Sequence, residues 1–152
     1  MKKFKFTLQP LYKYKQTVEK IQKAELRKAQ QALRELRAEE QRLLQAYAKN
    51  ERSLENALKE NRDIASALSE HDTYFRYLRD ALEEVREKIV KAEEVVAKCQ
   101  QQLIVTMKEL KTYDKLREEQ YQRYLKDIQA EEEKEMGDLV SFNTITEEIN
   151  AL

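Results

Sequence analysis

The sequence predicts an all-α fold, a long two-helix antiparallel coiled-coil hairpin, on three observations. The 152-residue chain holds one glycine, Gly137, and one proline, Pro10. A compact domain needs several loops, and loops draw on both residues for special backbone angles. Charged residues make up 38% of the chain, and Ala, Leu, Glu, Lys, Gln and Arg dominate, the strong helix formers. In the second half, apolar residues recur every seven positions, the spacing of a coiled-coil seam.

Helix one is expected from about residue 8 to residue 68. Pro10 suits a first helical turn, where its missing N–H would be unpaired anyway, and Thr7 could cap it. Leu11, Tyr14, Val18 and Ile21 continue at helical spacing. Beyond them the stripe takes an eleven-residue step through Ala32, Leu43, Leu54 and Ala65, and through Leu36, Tyr47 and Leu58. Eleven residues in three turns predicts a nearly straight or slightly right-handed path. The cap-forming types in Ser69-Glu70-His71-Asp72-Thr73 mark the break, with Asp72 or Thr73 as the N-cap of the second helix.

Helix two is expected over about residues 73–135. Phe75, Leu82, Ile89, Val96, Leu103 and Leu110 form one heptad series. Leu78, Val85, Ala92 and Cys99, continued by Thr106 and Tyr113, form the second. The seam then turns polar and aromatic at Arg117, Gln120, Tyr121, Tyr124 and Ile128. Residues 1–136 thus constitute the hairpin. Residues 137–152 form a C-terminal tail, a short amphipathic helix or a segment that folds on a partner, with Phe142, Ile145, Ile149 and Leu152 at helical spacing. Equal helices joined by a short turn become antiparallel neighbours. Charge agrees: residues 1–28 carry 9 − 2 = +7 and residues 129–152 carry 1 − 7 = −6. An antiparallel hairpin sets these segments side by side, whereas a parallel dimer stacks like on like.

The composition speaks against most chemistry. Net charge is zero, so no basic excess points to nucleic acid. A single cysteine, Cys99, permits no intrachain disulfide and suits the cytoplasm. No apolar run can span a bilayer, and MKKFKF lacks the apolar core of a signal peptide. His71 and Cys99 are the sole residues of their types, one read as a solvated turn residue and the other as a small seam hydrophobe. They lie roughly 40 Å apart along the helix, too far for a dyad. One glycine cannot build a phosphate loop, and no metal-ligand cluster is spaced for zinc. No cofactor, metal site or catalytic residue is assigned, and the chain is not expected to be an enzyme. Of the eight tyrosines, Tyr14 and Tyr113 fit the seam, and Tyr74 and Tyr77, flanking Phe75, suit a partner contact.

These features resemble the FliJ family of flagellar type III export. The residues that carry the likeness are Phe4-Lys5-Phe6, Leu8-Gln9 and Leu11, then Leu44 with Tyr47. Further on they are Tyr74, Leu78 and Ala81, and finally Glu132-Glu133-Lys134-Glu135-Met136 with Asp138. The likeness implies a central stalk, similar to the coiled coil of a rotary ATPase γ subunit. Its open end would enter the export ATPase hexamer, and its surface would bind the export gate protein FlhA and help handle export chaperones. Carried over residue by residue, the gate contact comprises Leu44, Tyr47, Tyr74, Leu78 and Ala81, with Glu40 or Gln41 and Val85 at its edge. It would act in the cytoplasm, peripheral to the membrane-embedded apparatus, as a monomeric hairpin or a weak self-associator. The other readings are an injectisome stalk, a generic coiled-coil scaffold or holdase, and a parallel homodimer tether.

Overall fold

The computed structural model describes residues 2–60 and 63–152. Two long helices, α1 (Gln9–Lys59, 51 residues) and α2 (Ile64–Ala151, 88 residues), pack against each other as a hairpin, with no strand among the described residues. Cross-helix partners fall in number on one helix as they rise on the other, as in Tyr12 with Asp114, and Arg37 with Glu93. The pairing is therefore antiparallel. No helix among the described residues is long and apolar enough to cross a membrane.

The helix boundaries differ from those expected. α1 ends at Lys59, not near residue 68, and α2 begins at Ile64, not near residue 73; residues 61–62 of the expected first helix lie outside the described set. Asp63 stands at the N-cap position of α2, where its carbonyl accepts the first helical bond from the Ala67 N–H at 3.0 Å. The cap-forming side chains at 69–73 are used inside the helix instead. The Thr73 hydroxyl donates to the Ser69 carbonyl at 3.0 Å, and Asp72 pairs with Arg76 at 3.1 Å. Ser, Thr and Asp can serve either role, so their presence alone does not locate a turn. α2 also continues past residue 135 through Gly137 to Ala151. The tail is thus the last part of one long helix.

The chain divides into two compact units, each made of both helices. In the unit Lys20–Ile104, the α2 seam follows the expected heptads, with Phe75, Leu78, Leu82, Val85 and Ile89 buried. Leu33, Val85 and Ile89 form the core cluster, and Leu36, Leu43, Ala92 and Val96 close around it. The α1 face is a heptad too. Its inward positions are Gln22, Leu26, Ala29, Leu33, Leu36, Glu40, Leu43, Tyr47, Asn50, Leu54 and Ala57, at alternating steps of three and four. The eleven-residue step is not the buried one, since Ala32 and Leu58 are exposed and Ala65 belongs to α2. Polar Gln22, Glu40 and Asn50 occupy seam positions and hide the true period from an apolar count.

In the unit formed by residues 2–19 and 105–152, Phe6, Leu110 and Thr106 are buried. Pro10 lies in the first turn of α1, as expected. Thr7 does not cap that helix: its hydroxyl accepts from the Gln120 side-chain amide at 2.9 Å. Leu8 takes the capping place, its carbonyl accepting from the Tyr12 N–H at 2.8 Å. Tyr12 and Lys15 face α2, whereas Leu11 is exposed and Tyr14 is 62% exposed. The seam expected at Leu11 and Tyr14 is thus rotated by one residue, or about 100° of helix. Residues 2–8 reach α2 as far as Tyr124, whose hydroxyl donates to the Lys2 carbonyl at 2.6 Å. Residues 129–152 are exposed throughout. The expected side-by-side placement of the two oppositely charged segments therefore does not occur. The early turn shortens α1 and leaves the acidic end of α2 uncovered.

Candidate partner-binding surfaces

The five residues carried over as a gate contact all belong to the unit Lys20–Ile104, where α1 supplies Leu44 and Tyr47 and α2 supplies Tyr74, Leu78 and Ala81. They do not present equally. Among the described residues Leu78 is the most buried side chain, at 1% exposure, while Tyr74 is 43% exposed. Leu44, Tyr47 and Ala81 are half-buried. The Tyr47 ring packs on Phe75 across the seam with centroids 4.8 Å apart. That contact fixes Tyr47 while leaving part of it at the surface. Leu78 is buried and is out of reach of a partner while the helices stay paired. At the edge of the patch Glu40 pairs with Arg86 at 3.6 Å, and Val85 is buried.

Tyr77 is not among those five, although it too flanks Phe75. It is 63% exposed and stacks on Tyr74, with centroids 6.2 Å apart and planes within 17°. The signal is present in the sequence: positions three apart on a helix lie on one side, and both fall off the heptad seam. A paired, exposed aromatic surface is a suitable anchor for a protein partner.

Nearer the turn an open groove of about 700 Å³ runs between α1 and α2, lined by Lys49, Arg52, Ser53, Asn56, Glu70 and His71. His71 is not in the turn, where the sequence placed it, but inside α2. Its Nδ1 lies 2.7 Å from the Ala67 carbonyl and its Nε2 lies 3.3 Å from the Ser53 hydroxyl. Asn50 is buried and donates to the His71 carbonyl at 3.2 Å. This histidine ties the two helices together. Cys99 is half-buried on the α2 seam, 28 residues from His71 and so about 42 Å along the helix. Among the described residues no group of three or more His, Cys, Asp or Glu side chains could hold a metal ion.

The other unit is held by aromatic rings and by hydrogen bonds. Phe4 packs on Tyr121 and Tyr124 at 5.2 and 5.5 Å, and Tyr12 packs on Phe6 and Tyr113 at 6.2 and 6.3 Å. The Tyr12 hydroxyl donates to the Asp114 carboxylate at 2.6 Å. That hydrogen bond, then burial, then the carboxylate charge raise the Tyr12 pKa above its ordinary value. Lys15 pairs with Glu109, and this hydrogen bond raises the Lys15 pKa.

Comparison with known proteins agrees with the resemblance drawn from the residues. The family model described as flagellar FliJ protein matches residues 4–148, nearly the whole chain. No curated protein and no solved structure matches the chain significantly. The match extends past residue 138, beyond the last residues that carried the likeness in the sequence. It assigns a component of flagellar type III protein export, associated with the export apparatus, in keeping with a two-helix coiled coil. The chain belongs to the flagellar FliJ family.

Proposed function

We propose that this chain is the central-stalk-like coiled coil of flagellar export. Its open end inserts into the export ATPase ring and promotes ring assembly and turnover. The surface formed by Leu44, Tyr47, Tyr74 and Ala81 over Leu78 binds the export gate protein FlhA, and the chain helps handle export chaperones. It acts from the cytoplasm, peripheral to the membrane-embedded apparatus, and it catalyses no reaction itself. One observation supports the gate contact above the others: Tyr74 and Tyr77 stack in the open while Leu78, four residues after Tyr74 on the same helix, is 1% exposed. Aromatic anchors on a rigid base supply large contact area at little entropic cost.

Two measurements test this reading. Titrating the purified chain into the export ATPase should raise turnover and the hexamer fraction; a flat response in both contradicts the stalk role. Tyr47→Ala combined with Tyr74→Ala should weaken binding to the cytoplasmic linker of FlhA by roughly tenfold or more, with helical circular dichroism unchanged. Binding equal to wild type removes the patch from the account.

A further inference from the structure

The hairpin leaves two apolar stripes uncovered in one unit. On α1 the stripe is Leu11, Tyr14 and Val18, the first two exposed and the third half-buried. On α2 it is Phe142, Ile145 and Ile149, which are 69%, 56% and 64% exposed. Both follow the spacing i, i+3, i+7, the narrow stripe by which one helix packs on another. Their surroundings carry opposite charge. Residues 2–19 hold five lysines and one glutamate, 5 − 1 = +4, and residues 129–152 carry 1 − 7 = −6.

The two stripes cannot meet within one chain. The Tyr12 hydroxyl is bonded to Asp114, so the α1 stripe lies beside that part of α2. Phe142 lies 28 residues of unbroken helix beyond Asp114, a separation of about 42 Å. The uncovered end of α2 therefore needs an occupant from outside the chain. Pairing two α2 ends would set −6 against −6, and pairing two α1 stripes would set +4 against +4. Pairing an α2 end with an α1 stripe sets unlike charges together at matched spacing.

We propose that, in chains whose open end is not seated in the ATPase ring proposed above, the occupant is a second copy of this chain. Two copies lie side by side in opposite directions. The end of α2 from each packs, parallel, on the Leu11-Tyr14-Val18 stripe of the other. Two-fold symmetry forms this junction twice, so no stripe of either kind is left open. Equal spacing aligns Phe142 with Leu11, Ile145 with Tyr14 and Ile149 with Val18.

Sedimentation of the full-length chain tests the proposal. The wild type should show a concentration-dependent dimer that weakens as salt rises. Tyr14→Glu and Ile145→Lys should each weaken dimerisation by roughly tenfold or more, because each puts a charge into an apolar junction. Helical circular dichroism should hold, since both side chains are exposed. The double variant Tyr14→Glu/Ile145→Lys sets opposite charges face to face and should dimerise more tightly than either single variant. A wild type that stays monomeric at roughly 0.1 mM in low salt overturns the proposal and leaves the stripes to a different protein. So does a dimer indifferent to Tyr14→Glu, which would join the α2 ends alone. A double variant as weak as the two single effects combined also overturns it.

Discussion

The two units of this chain use the same pair of helices and are held by different chemistry. Over Lys20–Ile104 the seam is mainly aliphatic, centred on Leu33, Val85 and Ile89, with Leu78 and Leu82 beside them. In the unit of residues 2–19 and 105–152, rings and hydrogen bonds take over: Phe4 on Tyr121, Tyr12 to Asp114, Thr7 with Gln120. Burial of apolar side chains is non-directional and scales with area, so it favours firm pairing. Exposed hydrogen bonds contribute little net free energy, because water competes for the same groups. The first unit suits a stiff base for a binding surface. The second holds the chain's start against α2 and then leaves the last 20 or so residues of helix without cover.

The comparison can be broken most forcefully at Leu78. Leu78→Ala should cost about 2–4 kcal/mol in the thermal or urea unfolding of the hairpin, through lost burial and the cavity left behind. A cost below about 0.5 kcal/mol, the range of an exposed site, would mean that the aliphatic seam does not hold this unit together.

A smaller effect is expected at Gly137. A Cβ there meets nothing within 4 Å, and the residue lies inside α2. Gly137→Ala should therefore stabilise the end of the helix by about 0.5–1 kcal/mol, read as increased helicity of residues 131–151 by NMR chemical shift. A loss of helicity would show that the backbone there needs glycine.

The smallest effect is a response to alkali. The Tyr12 pKa is raised from 10.0, first by the hydrogen bond to Asp114, and the Lys15 pKa is raised from 10.5, first by Glu109. A raised folded-state pKa contributes stability that is complete below the unfolded value and lost as pH rises through the folded one. The unit of residues 2–19 and 105–152 should thus loosen above about pH 10. Tyr12→Phe should remove part of that response, seen by comparing melting temperatures of the two proteins between pH 9 and 11. Identical pH profiles would leave the Tyr12 contact without a share in stability.

The legible and illegible parts of the sequence separate along the same physical line. Every residue of the α2 heptads from Phe75 to Tyr113 is buried or half-buried, because apolar side chains there mark the seam directly. On α1 the apolar pattern misleads, since Lys15, Gln22, Glu40 and Asn50 take seam positions while Leu11, Tyr14 and Ile21 stand outside. Extending the Leu33 and Leu36 heptads backwards leads to Tyr12 and Lys15, a signal that an apolar count ignores. The turn lies about ten residues before its expected place because the cap-forming types at 69–73 also serve inside a helix: Thr73 donates to the Ser69 carbonyl and Asp72 pairs with Arg76. Tyr74 is legible as an off-seam aromatic. Its spacing of three from Tyr77 already sets the two rings on one side of α2, where they stack.

Native-state hydrogen exchange at a concentration where the chain is monomeric tests the contrast between the units most directly. The account predicts the slowest amides between Phe75 and Val96, faster exchange around Tyr113–Tyr124, and the fastest exchange along residues 131–151. Equal protection along α2, or slower exchange at 131–151 than at Leu78–Ile89, would contradict it.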